Sequence, residues 1–103
     1  MKILIIVARD SMLSDLEGFL HSNGVTAYTI LSNVMGKGVT GRVYGTFLNP
    51  DINVLIFAIL PPDLADRAIS GLKTLHTTRK EASQNKPVPL KVFSLSLLCD
   101  ENV

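Results

Sequence analysis

The residues best equipped for chemistry lie between Gly36 and Arg42. Gly36-Lys37-Gly38-Val39-Thr40-Gly41 spells G-x-G-x-x-G, and Arg42 follows directly. Glycine has no Cβ to hold a ligand away, so successive backbone amides in such a segment can converge on the oxygens of a phosphate or carboxylate. A cation beside them strengthens those hydrogen bonds in a partly desolvated cleft. The expected chemistry is anion binding, with Gly36, Lys37, Gly38, Gly41 and Arg42 as ligand-binding residues; the plain alternative is a flexible connector in which glycine supplies positive φ. The same letters make a dinucleotide fingerprint only where they leave a first strand and open a helix that faces the pyrophosphate. Here they follow the second strand and run into Arg42-Val43-Tyr44-Gly45-Thr46-Phe47, which is strand-like, so that reading is rejected.

Other reactive side chains are scattered. His21 falls on the predicted first helix and His76 at the end of the second, neither with a ligand four residues on and with no cysteine pair, so no metal site is expected. At the end of its predicted helix, His76 is expected to do no more than complement the dipole. Cys99 follows the last strand without a nearby histidine to activate it and reads as a spectator thiol. Asp63 and Asp66 stand where acids ordinarily open a helix. Arg79-Lys80 with Lys86 and Lys91 gives a basic cluster around the last loop, able to line an anion pocket if it folds against the glycine segment. With no nucleophile elbow, paired-carboxylate motif or Walker loop, no catalytic residues and no enzyme are expected.

The elements that must position these residues follow from apolar spacing. Ile3 to Val7 is an unbroken apolar run, the mark of a central strand. Leu13, Leu16, Phe19 and Leu20 recur at helical spacing, with Asp10, Ser11 and Ser14 available as caps, Glu17 three after Ser14, and Gly24 as the stop. Thr26 to Val34 favours a second strand that enters the glycine-rich loop. Arg42 to Leu48 suits a short extended ribbon, Asn49-Pro50-Asp51 a turn, and Asn53 to Leu60 a third strongly apolar strand. Pro61-Pro62-Asp63 opens a second helix with Leu64, Ala68, Ile69, Leu72 and Leu75 as its stripe. Thr77 to Pro87 reads as a loop, and Leu90 to Leu98 as a final strand.

The order βαββαβ predicts an α+β, ferredoxin-like sandwich: a four-stranded antiparallel sheet with two helices on one face, residues 1–103 forming a single domain. Two helices cover only one sheet face, yet the first and third main strands are apolar at successive positions. An apolar face of roughly several hundred Å² is unusual for a monomer, so a homo-oligomer is expected. The chain has 103 residues, 47% of them hydrophobic and 18% charged, with a net charge of +1. That composition fits a packed globule with no broad field to attract nucleic acid or an anionic membrane. The apolar run Val54–Leu60 is far below the ~18 residues of a membrane span, and a single cysteine with no signal-peptide core points to the cytoplasm.

In the order and spacing of its pieces, the sequence resembles the PII (nitrogen regulatory protein P-II) signal-transduction superfamily, nearest its divergent PII-like members. The resemblance rests on Asn23-Gly24-Val25, Tyr28-Thr29-Ile30, Val34-Met35-Gly36-Lys37-Gly38, which is similar to the V-x-G-x-G entering the family's T-loop, and Val54 through Asp63. It implies a cytoplasmic, non-catalytic homotrimer with ligand clefts between subunits and a T-loop that responds to ATP, ADP or another anionic effector. Thr29 would adjoin the ligand beside Gly36, Lys37 and Gly38, and a regulated partner protein would read the result. The segment from Gly38 to Asp51 is shorter than a classical T-loop, and Thr77-Thr78-Arg79-Lys80 lacks the glycines of the family's T-G-x-x-G-D-G-K phosphate loop. An adenine nucleotide and a smaller anion therefore both stay open as effectors. The alternative is a structural or metal-linked oligomer similar to PII-like copper-tolerance proteins, without nucleotide.

Overall fold

In the computed structural model, residues 1–38, 41–43, 52–82 and 90–96 are described. The principal strands are β1 (Lys2–Arg9), β2 (Thr29–Val34), β5 (Asn53–Leu60) and β6 (Leu90–Ser96); a separate ribbon joins β3 (Gly36–Gly38) and β4 (Gly41–Val43). The helices are α1 (Leu13–Ser22), entered through a 3-10 turn at Asp10–Met12, and α2 (Pro62–Ala82). The four main strands form one antiparallel sheet in the order β2-β5-β1-β6. This is the expected ferredoxin-like α+β fold.

The two most apolar strands occupy the centre, where both neighbours satisfy their backbone groups. β1 alternates: Leu4, Ile6 and Ala8 are buried, as are Val54, Ile56, Ala58 and Leu60 of β5. These residues join Leu16, Leu20, Ala65, Ala68 and Leu72 from the helices in one core that also holds Met12, Val25 and Leu90. Asp10 N–H donates to the Ile52 carbonyl at 2.6 Å, fixing the exit of β1 to the entry of β5.

α1 stops as its glycine requires. Gly24 takes φ +85°, its N–H donates to the His21 carbonyl at 3.1 Å, and the Val25 N–H reaches back to Leu20 at 2.8 Å. That pair of bonds is a Schellman cap, with Val25 delivered into the core. The start differs from expectation: the N-cap position is Met12 and no side chain caps it. The preceding 3-10 turn sets the helix entry instead.

Two further boundaries are corrected. β2 begins at Thr29 rather than Thr26, because the segment before it is held against α1 by Val25 and Tyr28. β2 also has a register shift between Leu31 and Val34, where Asn33 takes φ 59°. α2 continues through Thr77 to Ala82, which the sequence assigns to a loop. Its apolar stripe ends at Leu75, but Arg79, Lys80, Glu81 and Ala82 are good helix formers, and Arg79 bridges to Asp15 of α1. Residues 83–87 of that expected loop, the expected strand residues Tyr44 to Leu48 and Leu97-Leu98, and the turn Asn49 to Asp51 lie outside the described residues.

The helices approach closely where Phe19 meets Gly71. A Cβ on Gly71 would stand 2.4 Å from the Phe19 ring tip. Gly71→Ala is therefore expected to overpack this crossing, at about 1–3 kcal/mol. Alanine's helix preference recovers about 1 kcal/mol of that. The urea midpoint should fall in Gly71→Ala and recover in Gly71→Ala/Phe19→Leu; an unchanged midpoint in the single variant would mean that the ring yields freely.

Among the described residues, the sheet face opposite the helices is apolar and bare. Register sets its side chains in rows across the strands: Ile59–Ile3–Leu95, then Thr29–Phe57–Ile5–Phe93, then Leu31–Leu55–Val7–Lys91. Ile59 is 53% exposed, Leu95 57%, Leu31 49% and Phe93 48% in the single chain. No polar side chain interrupts the middle of these rows; Thr29 and Lys91 stand at their edges.

Candidate functional site

The G-x-G-x-x-G segment is a two-stranded ribbon where the sequence suggests a loop. β3 and β4 pair antiparallel with Gly36 opposite Val43, Lys37 opposite Arg42 and Gly38 opposite Gly41. The ladder gives the glycines a regular partner, and in an antiparallel pair only alternate residues exchange backbone bonds. Five expected ligand-binding residues, Gly36, Lys37, Gly38, Gly41 and Arg42, thus sit within one short hairpin. Lys37 and Arg42 thereby stand at directly opposed register positions of the ladder.

The ribbon leaves the end of β2 through Met35, which is 65% exposed, so it hangs from an edge strand. Thr29 stands at the other end of β2. Seven residue steps separate it from Gly36, at most roughly 23 Å of extended chain at about 3.3 Å per residue. Within one chain Thr29 does not join the hairpin; it is exposed at the margin of the bare face, opposite Phe57.

The expected basic cluster is split. Arg79 is committed to Asp15, while Lys91 lies on the bare face opposite Val7. Lys86 and Cys99 lie outside the described residues. Asp66 pairs with Lys2 at 2.9 Å, tying α2 to β1, and Asp63 sits in the first turn of α2. His76 lines an open groove of about 410 Å³ between α2 and β6, with Lys73 and Thr77 on its rim and Ile69, Leu72, Leu90 and Val92 as its floor.

One polar cluster escapes sequence reasoning. The Schellman turn brings Tyr28 back over α1, where its hydroxyl donates to Glu17 Oε1 at 2.9 Å and lies 3.1 Å from His21 Nε2. The two rings meet edge to face, centroids 5.9 Å apart. Desolvation, then the hydrogen bond to Glu17 and its charge, hold the Tyr28 phenol above its ordinary range. The available signal was Glu17 four residues before His21, one helical turn away; Tyr28 is not local on the helix and needs the fold to arrive.

Comparison with known proteins identifies the surroundings of this hairpin. Residues 1–97 match the family model of the nitrogen regulatory protein P-II. No curated protein matches the chain in sequence. Among solved structures, it is similar to CPII, a nitrogen regulatory PII-like protein from Thiomonas intermedia K12 bound to ADP, AMP and bicarbonate, with 25% identity and a TM-score of 0.65 over 91% of this chain and 84% of that one. The apo form of CPII gives 24% identity and 0.63 over 91% and 85%. A protein of Thermus thermophilus described as PII-like and signalling gives 20% and 0.58, again over 91% and 85%.

Proposed function

The chain belongs to the nitrogen regulatory protein P-II family, and from that premise we propose that it is a non-catalytic, cytoplasmic regulator that binds a small anionic effector between copies of itself. An adenine nucleotide is the foremost candidate. The observation that carries this reading is the opposition of Lys37 and Arg42 within a glycine-flanked hairpin. Two cationic residues paired in register are a poor arrangement for an empty ribbon and a good one for a phosphate-bearing ligand. CPII, the PII-like protein at 25% identity, is bound to ADP, AMP and bicarbonate, which favours the same ligand classes here.

The assembly is a homotrimer, closed through the bare apolar face. Nine apolar side chains occupy its three rows, and another copy is the simplest cover for that much surface. Thr29 then lies at the margin of the interface. In this arrangement a neighbouring copy brings its own hairpin toward Thr29, so the ligand site is complete only between copies. The hairpin serves as a short T-loop, changing its pairing when the two cations gain an anion and presenting the altered ribbon to a partner protein.

The test is a thermal unfolding series with ADP, AMP, ATP, bicarbonate and, as the uncharged control, adenosine. A ligand that binds only the native state at a hundred times its dissociation constant adds about 2.7 kcal/mol of stability. The melting temperature should rise with at least one of the nucleotides and stay flat with adenosine. Equal shifts with adenosine, or none with any anion, would remove the anion-binding reading.

A further inference from the structure

We propose that the groove between α2 and β6 binds an aliphatic carboxylate of medium length, a hydrocarbon chain with a single acidic end. The groove lies on the helix-covered side of the sheet at its β6 edge, whereas the glycine hairpin hangs from β2 at the opposite edge. Those edges are three strand spacings apart, roughly 14 Å, so within one chain the two sites are separate. Register places Leu90 opposite Ala8 and Val92 opposite Ile6, on the side that faces the helices. With Ile69 and Leu72 of α2 they make a floor of four aliphatic side chains beneath a space of about 410 Å³. Pockets of roughly 300–1,000 Å³ take whole small molecules, and an aliphatic floor rewards each methylene laid upon it.

The rim selects the head group. Lys73, His76 and Thr77 lie three and four residues apart and share the face of α2 above the groove. The Thr77 hydroxyl donates to the Lys73 carbonyl at 3.0 Å, so its hydrogen is not offered to a ligand. Among the described residues, the Lys73 ammonium and the His76 ring have neither a hydrogen bond nor an ion pair. No acid stands three or four positions from either one along α2. Both carry N–H groups for an incoming oxygen, and beside a floor that excludes water the charge-assisted bond from Lys73 favours an anion. With one permanent positive charge, the rim matches a monoanion better than a doubly charged phosphate. An uncharged head group gains from the floor alone, and a cationic one meets Lys73 with like charge.

The full chain would be titrated with hexanoate, octanoate and decanoate below their micellar concentrations, by calorimetry and by NMR shifts, with 1-octanol as the uncharged control. One octanoate per chain is expected, with shifts gathered at Leu72, Lys73, His76, Leu90 and Val92. Affinity should rise by up to about fourfold for each added methylene, the equivalent of about 0.8 kcal/mol. Lys73→Ala, at an exposed helix position that alanine suits, should weaken octanoate about tenfold and leave 1-octanol unchanged. Val92→Thr, nearly the same shape but polar, should weaken both; circular dichroism confirms that the variants are folded. No binding of any of the three acids, an affinity independent of chain length, octanoate binding indifferent to Lys73→Ala, or shifts gathered instead at Ile3, Phe57 and Phe93 of the bare face would overturn the proposal.

Discussion

Ile56→Glu is expected to leave no folded protein, and Phe57→Glu, the next residue of β5, to leave a folded protein that stays monomeric. The two residues differ only in the side of the sheet they serve. Ile56 is 1% exposed, lies between Ile6 and Ile30 in register and faces the helices. A carboxylate there has no partner, and burying one unpaired, on top of the lost packing, removes more than about 4–5 kcal/mol, a large share of what a domain of this size has. Phe57 lies between Thr29 and Ile5 on the bare face, where in one chain water still reaches it. A glutamate at that position costs the monomer little and, in the proposed homotrimer, places three like charges together at the centre of the interface. Circular dichroism and light scattering distinguish the outcomes: loss of structure for Ile56→Glu, and native spectra with a monomer mass for Phe57→Glu. A Phe57→Glu protein that assembled as the wild type does would show that the bare face is not the interface.

Reversing the charge at Lys37 has the second large effect. Charge-assisted hydrogen bonds are worth about 1.5–3 kcal/mol, so Lys37→Glu should weaken ADP binding roughly 10- to 100-fold, and Arg42→Glu should do the same. The effect on the empty protein has the opposite sign. Either single reversal converts an opposed pair of like charges into an opposed ion pair across the β3–β4 ladder, which supports the hairpin by up to about 1 kcal/mol. Tight ADP binding by both variants would show that the hairpin cations do not contact the ligand. Equal losses of binding and of stability in the free protein would show that the residues support the fold alone.

Much of the fold was legible because its signals are local. The runs Ile3 to Val7 and Asn53 to Leu60 mark central strands wherever they occur, and Gly24 behaves as a helix-terminating glycine should. An apolar run does not reveal which alternate set meets the helices, so Ile56 and Phe57 were indistinguishable until register and packing separated them. The last turns of α2 were hidden for a related reason. Their sequence is polar, and a residue that anchors them, Arg79, finds Asp15 sixty-four positions away. Gly71 was silent because its purpose, room for the Phe19 ring, belongs to another helix.

The candidate site divides in the same way. Gly36, Lys37, Gly38, Gly41 and Arg42 are neighbours in sequence and stay neighbours in the hairpin, although the ribbon they build differs from the loop that glycine content suggests. Thr29 owes its place in the expectation to family resemblance, and a single chain keeps it apart from the others. The Glu17–Tyr28–His21 cluster depends on a chain reversal, and no spacing rule on α1 alone includes the tyrosine.

The central claim, an anionic effector held between copies of this chain, is tested most directly by calorimetric titration of ADP into the wild-type protein and into the Phe57→Glu monomer side by side. Saturable binding with one ADP per chain is expected in the wild type, and no detectable binding in the folded monomer. Equal affinity in the two proteins, or no heat of binding in the wild type, would contradict it.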